Sequence, residues 1–481
     1  MKTDYNPSGW NFDNTYTSLP MVFYTKQTAT EVREPRLVAL NRPLAAALGL
    51  DAERLAEEGA LIFSGNQEPA GGESLAQAYA GHQFGGFSML GDGRAILLGE
   101  HVTPDGKRYD IQLKGSGVTK YSRRGDGRAA LGPMLREYLI SEAMHALHIP
   151  TTRSLAVVTT GEPVYREEVL PGAVLTRVAS SHIRVGTFQF AVTLDDLSAL
   201  KTLADYTIQR HYPDLADMEN PYLALLYAVI DRQAALVAQW MQAGFIHGVM
   251  NTDNMTISGE TIDYGPCAFM DAYDPATVFS SIDAQGRYAF ANQPPIAQWN
   301  LARFAETLLP LIDADSIRAL KRAEEAIHAF PEKYEQASLA GMRTKLGLHD
   351  EPTTGDVLLI KDLLACMRQY KMDYTNTLRG LAFNGAIGHA DAPEVQAWLT
   401  RWQQRVNHAQ ARDAMLAVNP AVIPRNHLVE AALKVATENN DFVPFEALLT
   451  VLRTPFSEPD DLCYGMPAPP TDRPYQTFCG T

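Results

Sequence analysis

The sequence of 481 residues has few cysteines and no long apolar run. Four cysteines in a chain of this length do not make the dense disulfide framework of a small secreted domain, so a reducing cytoplasm is the expected compartment. No stretch approaches the roughly 18 uninterrupted apolar residues of a transmembrane helix. Residues 1–7 lack the apolar segment of a signal peptide. These absences predict a protein that does not cross a membrane.

The chain also has fewer basic than acidic residues. Lysine and arginine number 41 against 56 acidic residues, which gives a formal net charge of −15. Bulk binding to nucleic acid or to an anionic membrane needs a basic surface, so we expect neither as a partner. A local basic pocket remains compatible with this balance. The length exceeds what one core usually fills, which predicts two or more packed units.

The chain changes character along its length, and the changes predict four segments. Residues 1–70 form an N-terminal extension, and residues 71–190 are rich in glycine and in short strand-like runs. Residues 191–453 are mostly helical, and residues 454–481 form a tail that is rich in proline and turn residues. A β-rich half followed by an α-rich half is the order of a two-lobed kinase fold.

Several elements can be predicted individually. Polar and apolar residues alternate over 109–114, which is typical of a half-buried strand. Helices are predicted over 129–148 and 222–243, and Gly244 has the position of a C-terminal helix cap. Turns are predicted at 161–163 (Gly-Glu-Pro) and at 171–172 (Pro-Gly).

The stretch from His247 to Gly265 carries the strongest functional signal. Asn254 and Asp263 lie nine residues apart behind a predicted buried helix, as in kinase folds that hold nucleotide-bound magnesium. Val249 occupies the position of the kinase proton acceptor, and the neighbouring Asp253 is a candidate replacement. The alternative is that these residues only form two polar turns. We interpret His247 as structural, holding the loop backbone.

Cationic residues in the glycine-rich half suggest a phosphate site. Lys114 ends a predicted strand and Glu137 lies on the next helix, which is the order of the kinase lysine–glutamate pair. Each of these features alone also fits a solvated surface or a hairpin turn. The other candidates are residues 91–94 (Gly-Asp-Gly-Arg), the basic segment 122–128, Arg177 and Arg184.

Together these motifs resemble the selenoprotein O family, kinase-fold proteins that act as protein adenylyltransferases. The resemblance covers nearly the whole chain, and ordinary Cys479 stands where some members carry selenocysteine. It implies an α+β, two-lobed, protein-kinase-like fold with N- and C-terminal extensions. Its most specific marks are residues 91–94, 112–117, 123–128 and 247–254 and the cysteine near the C-terminus.

The resemblance also implies a reaction. ATP would bind in a flipped orientation with its γ-phosphate buried, and a Ser, Thr or Tyr hydroxyl of a protein substrate would attack the α-phosphate and release pyrophosphate. Asn254 and Asp263 would hold Mg²⁺ or Mn²⁺, and Asp253 would accept the proton. Glu137 would pair with Lys114 beside the nucleotide. The implied ATP-binding set is Gly91, Gly93, Arg94, Lys114, Asp126, Gly127, Arg177 and Arg184, with Asp263 through the metal.

The sequence leaves three alternative functions open. The protein could be an ordinary kinase-like phosphotransferase, a catalytically dead nucleotide-binding scaffold, or a uridylyltransferase that uses UTP with manganese. We expect protein substrates and a monomer. Pairing of Cys479 with Cys267 is a further hypothesis.

Overall fold

The computed structural model describes residues 8–469 and 475–478, without the side chains of residues 408–410. Its N-terminal half contains an antiparallel sheet of eight strands, in the order β1-β3-β6-β7-β10-β9-β2, with β8 paired to β10. Two smaller pairs, β4-β5 and β11-β12, lie outside this sheet. The strands are β1 Tyr24–Lys26, β2 Arg36–Leu40, β3 Leu75–Gln77, β4 Ala80–Gln83, β5 Gly86–Met89, β6 Ala95–Val102, β7 Arg108–Lys114, β8 Ala129–Ala130, β9 Arg153–Tyr165, β10 Val169–Ala179, β11 Phe245–Ile246 and β12 Ala268–Phe269.

Helices pack on both faces of the sheet and form most of the C-terminal half. They are α1 Arg42–Ala47, α2 Ala52–Ser64, α3 Leu131–Ala146, α4 Val185–Thr193, α5 Leu197–His211, α6 Pro221–Ala243, α7 Gln293–Ile312, α8 Ser316–His328, α9 Phe330–Lys345, α10 Thr354–Gln369, α11 Tyr374–Leu381, α12 Pro393–Arg405, α13 His408–Val418, α14 Asn426–Asn439 and α15 Val443–Leu452.

Strand alternation determines which side chains of β7 point toward α1 and α2 and which point toward α3. Ile111 and Leu113 of β7 belong to the apolar cluster that packs under α1 and α2. Successive residues of a strand face opposite sides, so Gln112 and Lys114 face α3 instead. Lys114 is held in register by Ala95 of β6 on one side and Leu175 of β10 on the other.

Helix α6 leads directly into the 247–265 segment. It is buried along much of its length and ends at Gly244, whose φ of 70° is the left-handed conformation that favours glycine. The chain then forms β11, and the antiparallel pair β11-β12 closes the segment between them. The prediction of a helix over 222–243 with a glycine cap is therefore confirmed.

The architecture is α+β, with a β-rich N-terminal lobe and an α-rich C-terminal lobe, and it is protein-kinase-like in the order of its elements. Strands β1 and β2, which come from residues 1–70, join the same sheet as strands from residues 71–190. The four-segment division remains a prediction. None of the helices in the described ranges combines the length and hydropathy needed to cross a bilayer.

His101 on β6 gives a pH-dependent contribution to stability. Its Nδ1 accepts the Asn11 amide and its Nε2 lies 2.7 Å from the Leu48 carbonyl oxygen, which fixes a neutral tautomer. Burial lowers the pKa of His101. An unfolded histidine, with a pKa near 6.5, takes up a proton that the folded state refuses, so stability falls as the pH drops below about 6.5.

We expect the free energy of unfolding of the wild type to fall by about 1 kcal/mol more than that of His101→Asn between pH 7 and pH 5. Urea denaturation at both pH values measures this difference. Replacement of the exposed His349 by asparagine is the matched control and should leave the pH dependence unchanged. Equal pH dependence in wild type and His101→Asn would contradict the assignment.

Candidate active site

The segment between β11 and β12 is anchored by His247. Its Nε2 lies 2.9 Å from the Ile262 carbonyl oxygen, its amide donates to Gln293 Oε1, and its Nδ1 accepts the Val249 amide at 3.4 Å. Both ring nitrogens are thus used to hold backbone, as the sequence predicts. The side chain holds the loop and is not directed at a substrate.

A buried ion network connects this segment to the sheet. Lys114 Nζ lies 2.6 Å from Glu137 Oε2, and Arg177 Nε lies 2.5 Å from Glu137 Oε1. Arg177 also reaches Asp263 Oδ1 at 2.5 Å, and Lys114 reaches the same oxygen at 3.5 Å. The predicted Lys114–Glu137 pair is therefore present, and Arg177 joins it to Asp263.

Arg184 completes the positive side of the site. It precedes α4, lies 3.6 Å from Asp263 Oδ2, and has its guanidinium 4.4 Å from the centre of the Tyr79 ring. Although burial opposes ionisation of Asp263, the nearby Arg177, Arg184 and Lys114 hold its pKa well below the usual range. These three cations therefore favour the charged form of Asp263.

Asp253 has a different environment. Its side chain is buried, its Oδ2 accepts only a long bond of 3.4 Å from Gln83 Nε2, and its Oδ1 has no hydrogen-bond partner among the described residues. Burial raises the pKa of Asp253 to about 6, with Arg184 acting in the opposite direction. A carboxylate with a pKa near neutrality is suited to accept a proton.

The β4-β5 hairpin covers this loop, and sequence reasoning did not assign it a role. The His82 amide donates to Thr252 Oγ1 at 2.7 Å, and the Phe84 amide donates to Asn251 Oδ1 at 3.1 Å. A side chain at Gly81 would collide with the Asp253 carboxylate, so glycine is required for this close approach. The signal for the hairpin in the sequence is its glycines at 81, 85 and 86.

These residues surround a cavity of about 450 Å³ between the two lobes. Its lining contains five cations and three carboxylates, an excess of two positive charges in a chain whose net charge is −15. Such a cavity favours a polyanion. The charged lining residues are Asp92, Arg94, Lys114, Arg123, Arg177, Arg184, Asp253 and Asp263.

The Gly91–Arg94 segment forms one wall of this cavity. It connects β5 to β6, which do not pair with each other, so it is not a hairpin turn. A Cβ at Gly91, where φ is 140°, would collide with the Tyr121 ring, and Gly93 lies against the Tyr121 backbone. The two glycines let the segment pack tightly while Arg94 faces the cavity.

Three members of the implied ATP-binding set, Gly91, Asp126 and Gly127, do not line this cavity. Asp126 pairs with Arg166 at 2.7 Å, and the Gly127 carbonyl accepts the Gly117 amide at 2.9 Å. Neither lines the 450 Å³ cavity, although Arg123 of the same basic segment does. Cys479 and its hypothetical pairing with Cys267 lie outside the described residues.

A second cavity, of about 600 Å³, adjoins the first. Arg94, Lys114 and Gly265 line both cavities. The wall of the second cavity includes apolar groups from β8, α3, β10 and α14, and residues 475–478 of the tail form part of its rim. These apolar groups are Ala130, Pro133, Met134, Leu170, Pro171 and Leu433.

Comparison with known proteins identifies the family. The family model described as "Protein adenylyltransferase SelO" matches residues 8–453. The chain belongs to the SelO family. Among curated members, it is 58% identical over 488 residues to the "Protein nucleotidyltransferase YdiU" of Bacillus cereus, with both chains covered in full.

Further relatives with the same name are equally similar to this chain. The proteins of the same name from Geobacillus kaustophilus and Rhizobium leguminosarum bv. trifolii are 59% and 60% identical, each over 98% of this chain and over 100% and 97% of their own lengths. The chain is thus a nucleotidyltransferase of this family. A nucleotide is its expected substrate, and such enzymes usually require a divalent metal.

One solved structure with some likeness is ROP2 from Toxoplasma gondii, described as a virulence factor with a protein-kinase fold and no enzymatic activity. It is 12% identical, covers 68% of this chain and 86% of its own, and has a TM-score of 0.24. A TM-score this low supports no conclusion about the fold of this chain. The kinase-like description of this SelO-family chain therefore rests on its own elements and on the Lys114–Glu137 pair.

Proposed function

We propose that the protein transfers AMP from ATP to Ser, Thr or Tyr hydroxyls of other proteins and releases pyrophosphate. The observation that carries this proposal is the cluster of Arg177, Arg184 and Lys114 deep in the interlobe cavity, with Asp253 and Asp263 at its other side. A buried polyphosphate needs several cationic partners, because an unpaired buried charge is costly.

The donor atoms present fit a hard divalent cation. Asn254 uses its Nδ2 to donate to the Val249 carbonyl at 2.9 Å, which leaves its amide oxygen available, and Asp263 is ionised. The described residues contain no cluster of three or more His, Cys, Asp or Glu side chains that could hold a metal alone. Magnesium commonly binds one or two protein oxygens together with substrate phosphates, so Asn254 and Asp263 would hold Mg²⁺ or Mn²⁺ with the nucleotide. The bound cation would neutralise developing phosphate charge.

The second cavity supports a flipped nucleotide. Its apolar wall of Pro133, Leu170 and Pro171 suits a flat base, whereas the first cavity suits phosphates. The two meet at Arg94 and Lys114. ATP that spans both would keep its terminal phosphates against the arginines. Asp126 and Gly127 would contribute only if the 122–128 segment closed on the base.

The protein's own residues then perform two tasks. Arg177 and Arg184 orient the polyphosphate, and their charge stabilises the departing pyrophosphate. Asp253 lines the cavity, where its carboxylate would take the proton of the attacking hydroxyl. Val249, which lines the same cavity, has no group that can do so.

An ordinary phosphotransferase is the competing function. ATP in the orientation usual for kinases would place its γ-phosphate near the acceptor and its base away from the apolar second cavity. Val249 has no group that can accept a proton at the kinase position, which argues against a phosphotransferase. The deep position of the arginine cluster argues against it as well.

Labelled ATP distinguishes the candidates. We expect protein in a cell lysate to gain label from ATP labelled at the α-phosphate and none from ATP labelled at the γ-phosphate. Label from γ-ATP alone would show a phosphotransferase, and ATP binding without label from either would show a scaffold. The same assay with α-labelled UTP and manganese tests uridylyl transfer.

A further inference from the structure

A surface groove of about 720 Å³ continues outward from the candidate active site. Phe84 and Ile282 line both the groove and the 450 Å³ cavity, so the two spaces adjoin at these side chains. Phe84 follows Gln83, whose amide donates to Asp253. The groove therefore begins one residue away from a direct partner of the proposed proton acceptor.

The inner part of the groove is apolar and exposed. Phe84 is 39% exposed and Ile282 is 54% exposed, and Pro295 and Ile296 at the start of α7 form the opposite wall. Phe84 has a φ of 50°, a conformation that a bulky side chain rarely adopts. Its amide bond to Asn251 Oδ1 helps hold it there, which ties this wall to the catalytic loop.

The outer part of the groove carries an available positive charge. The Arg287 guanidinium lies 5.0 Å from the Trp299 ring centre and 5.7 Å from the Tyr288 ring centre. Among the described residues no carboxylate forms a salt bridge with it; its side chain interacts with the Tyr288 hydroxyl, and its buried Nε has no hydrogen-bond partner.

Asp283, the one acidic residue among the groove's described lining residues, forms no salt bridge with Arg287. Both oxygens of the Asp283 carboxylate are engaged by backbone, since they accept the amides of Arg287 at 2.9 Å and Tyr288 at 2.7 Å. A guanidinium positioned against aromatic rings and without a carboxylate partner recognises a carboxylate well.

We propose that this groove binds the acceptor polypeptide, with an apolar side chain against Phe84 and Ile282 and an acidic side chain paired with Arg287. The inference rests on the proposed function, because it concerns the protein that receives AMP. The groove adjoins the Asp253 cavity at Phe84 and Ile282, where the hydroxyl would enter, and Arg287 provides the charge complementarity. Acceptor sites would thus be serine, threonine or tyrosine residues with an acidic neighbour.

A peptide scan tests this preference. The full-length protein is given ATP labelled at the α-phosphate and short synthetic peptides with one central serine, in which a glutamate or a lysine is moved through the flanking positions. We expect glutamate at one flanking position to raise kcat/KM about threefold or more over lysine there. Arg287→Gln should abolish this preference, and Arg287→Glu should reverse it.

The controls separate the groove from the nucleotide site. The Arg287 variants should bind ATP as the wild type does, and charge reversal of the exposed Lys321 on α8 (Lys321→Glu) should leave the peptide preference intact. The proposal is overturned if the Arg287 variants keep the wild-type preference, or if no peptide gains label while lysate proteins do. Absence of α-label from every protein would instead remove the proposed function itself.

Discussion

Replacement of Asp263 by asparagine should reduce AMP transfer by about a thousandfold, while the protein still folds and binds ATP. Loss of the ionised ligand removes the metal's charge stabilisation, which is worth several kcal/mol in the transition state. Asparagine is the appropriate replacement because Asp263 has a φ of 60°, a conformation that asparagine tolerates and alanine does not. The rate is measured as α-label incorporated into protein at saturating ATP.

The same variant has a second expected signature. The Asp263 carboxylate forms ion pairs with Arg177, Arg184 and Lys114. Removing its negative charge therefore leaves more positive charge available to bind phosphate. In the presence of a metal chelator, Asp263→Asn should therefore bind ATP at least as tightly as the wild type. Asp274→Asn, a change of the same kind at an exposed position, is the control and should be fully active. A transfer rate within tenfold of wild type in Asp263→Asn would remove the metal assignment.

The Lys114–Glu137 contact could be predicted because short motifs there coincide with strong periodicity. Lys114 and Glu137 were predicted from strand alternation and from the helix that follows, and both are local signals. Asp263 and Asn254 come from one contiguous segment. The connection made by Arg177, which bonds Glu137 and Asp263 at once, depends on the pairing of β10 with β7. Strand pairing between distant residues is not visible in a single sequence.

Glycine and proline misled the prediction at two places. The turns expected at 161–163 and 171–172 do not exist, because β9 and β10 run through them. Pro163 and Pro171 lie opposite each other, and the register shifts between Pro171 and Ala173. A β-bulge uses the same residues as a turn, and only the partner strand distinguishes them.

The position of the β4-β5 hairpin over the catalytic loop is another feature that the sequence alone does not predict. Gly81, Gly85 and Gly86 signal a tight backbone, and the sequence predicts strands and turns in this region. What the hairpin covers is decided by contacts with residues about 170 positions later, such as the bond from His82 to Thr252. Asp253 gains its burial, and hence its raised pKa, from this distant element.

Replacement of Asp253 by asparagine should lower kcat for AMP transfer by about 10²- to 10⁴-fold, the usual contribution of a positioned general base. The change keeps the shape of the side chain, which matters because Gly81 packs directly against it. Asp253 belongs to neither the arginine cluster nor the metal pair, so the affinity for ATP and for the metal should change little. Steady-state rates at saturating ATP, together with ATP binding measured separately, give this comparison.

The stability of the same variant distinguishes a catalytic Asp253 from a structural one. In the wild type a carboxylate is buried with one oxygen that has no partner among the described residues, which is unfavourable for folding. A neutral amide lessens that cost, so Asp253→Asn should have a Tm equal to or above that of the wild type. A group kept for its fold would show the opposite, a lower Tm with the rate following the folded fraction. If instead Asp253→Asn is stable and keeps more than a tenth of the wild-type kcat, the proton must leave by another route. The carboxylate would then be kept for charge in the cavity and not for base catalysis.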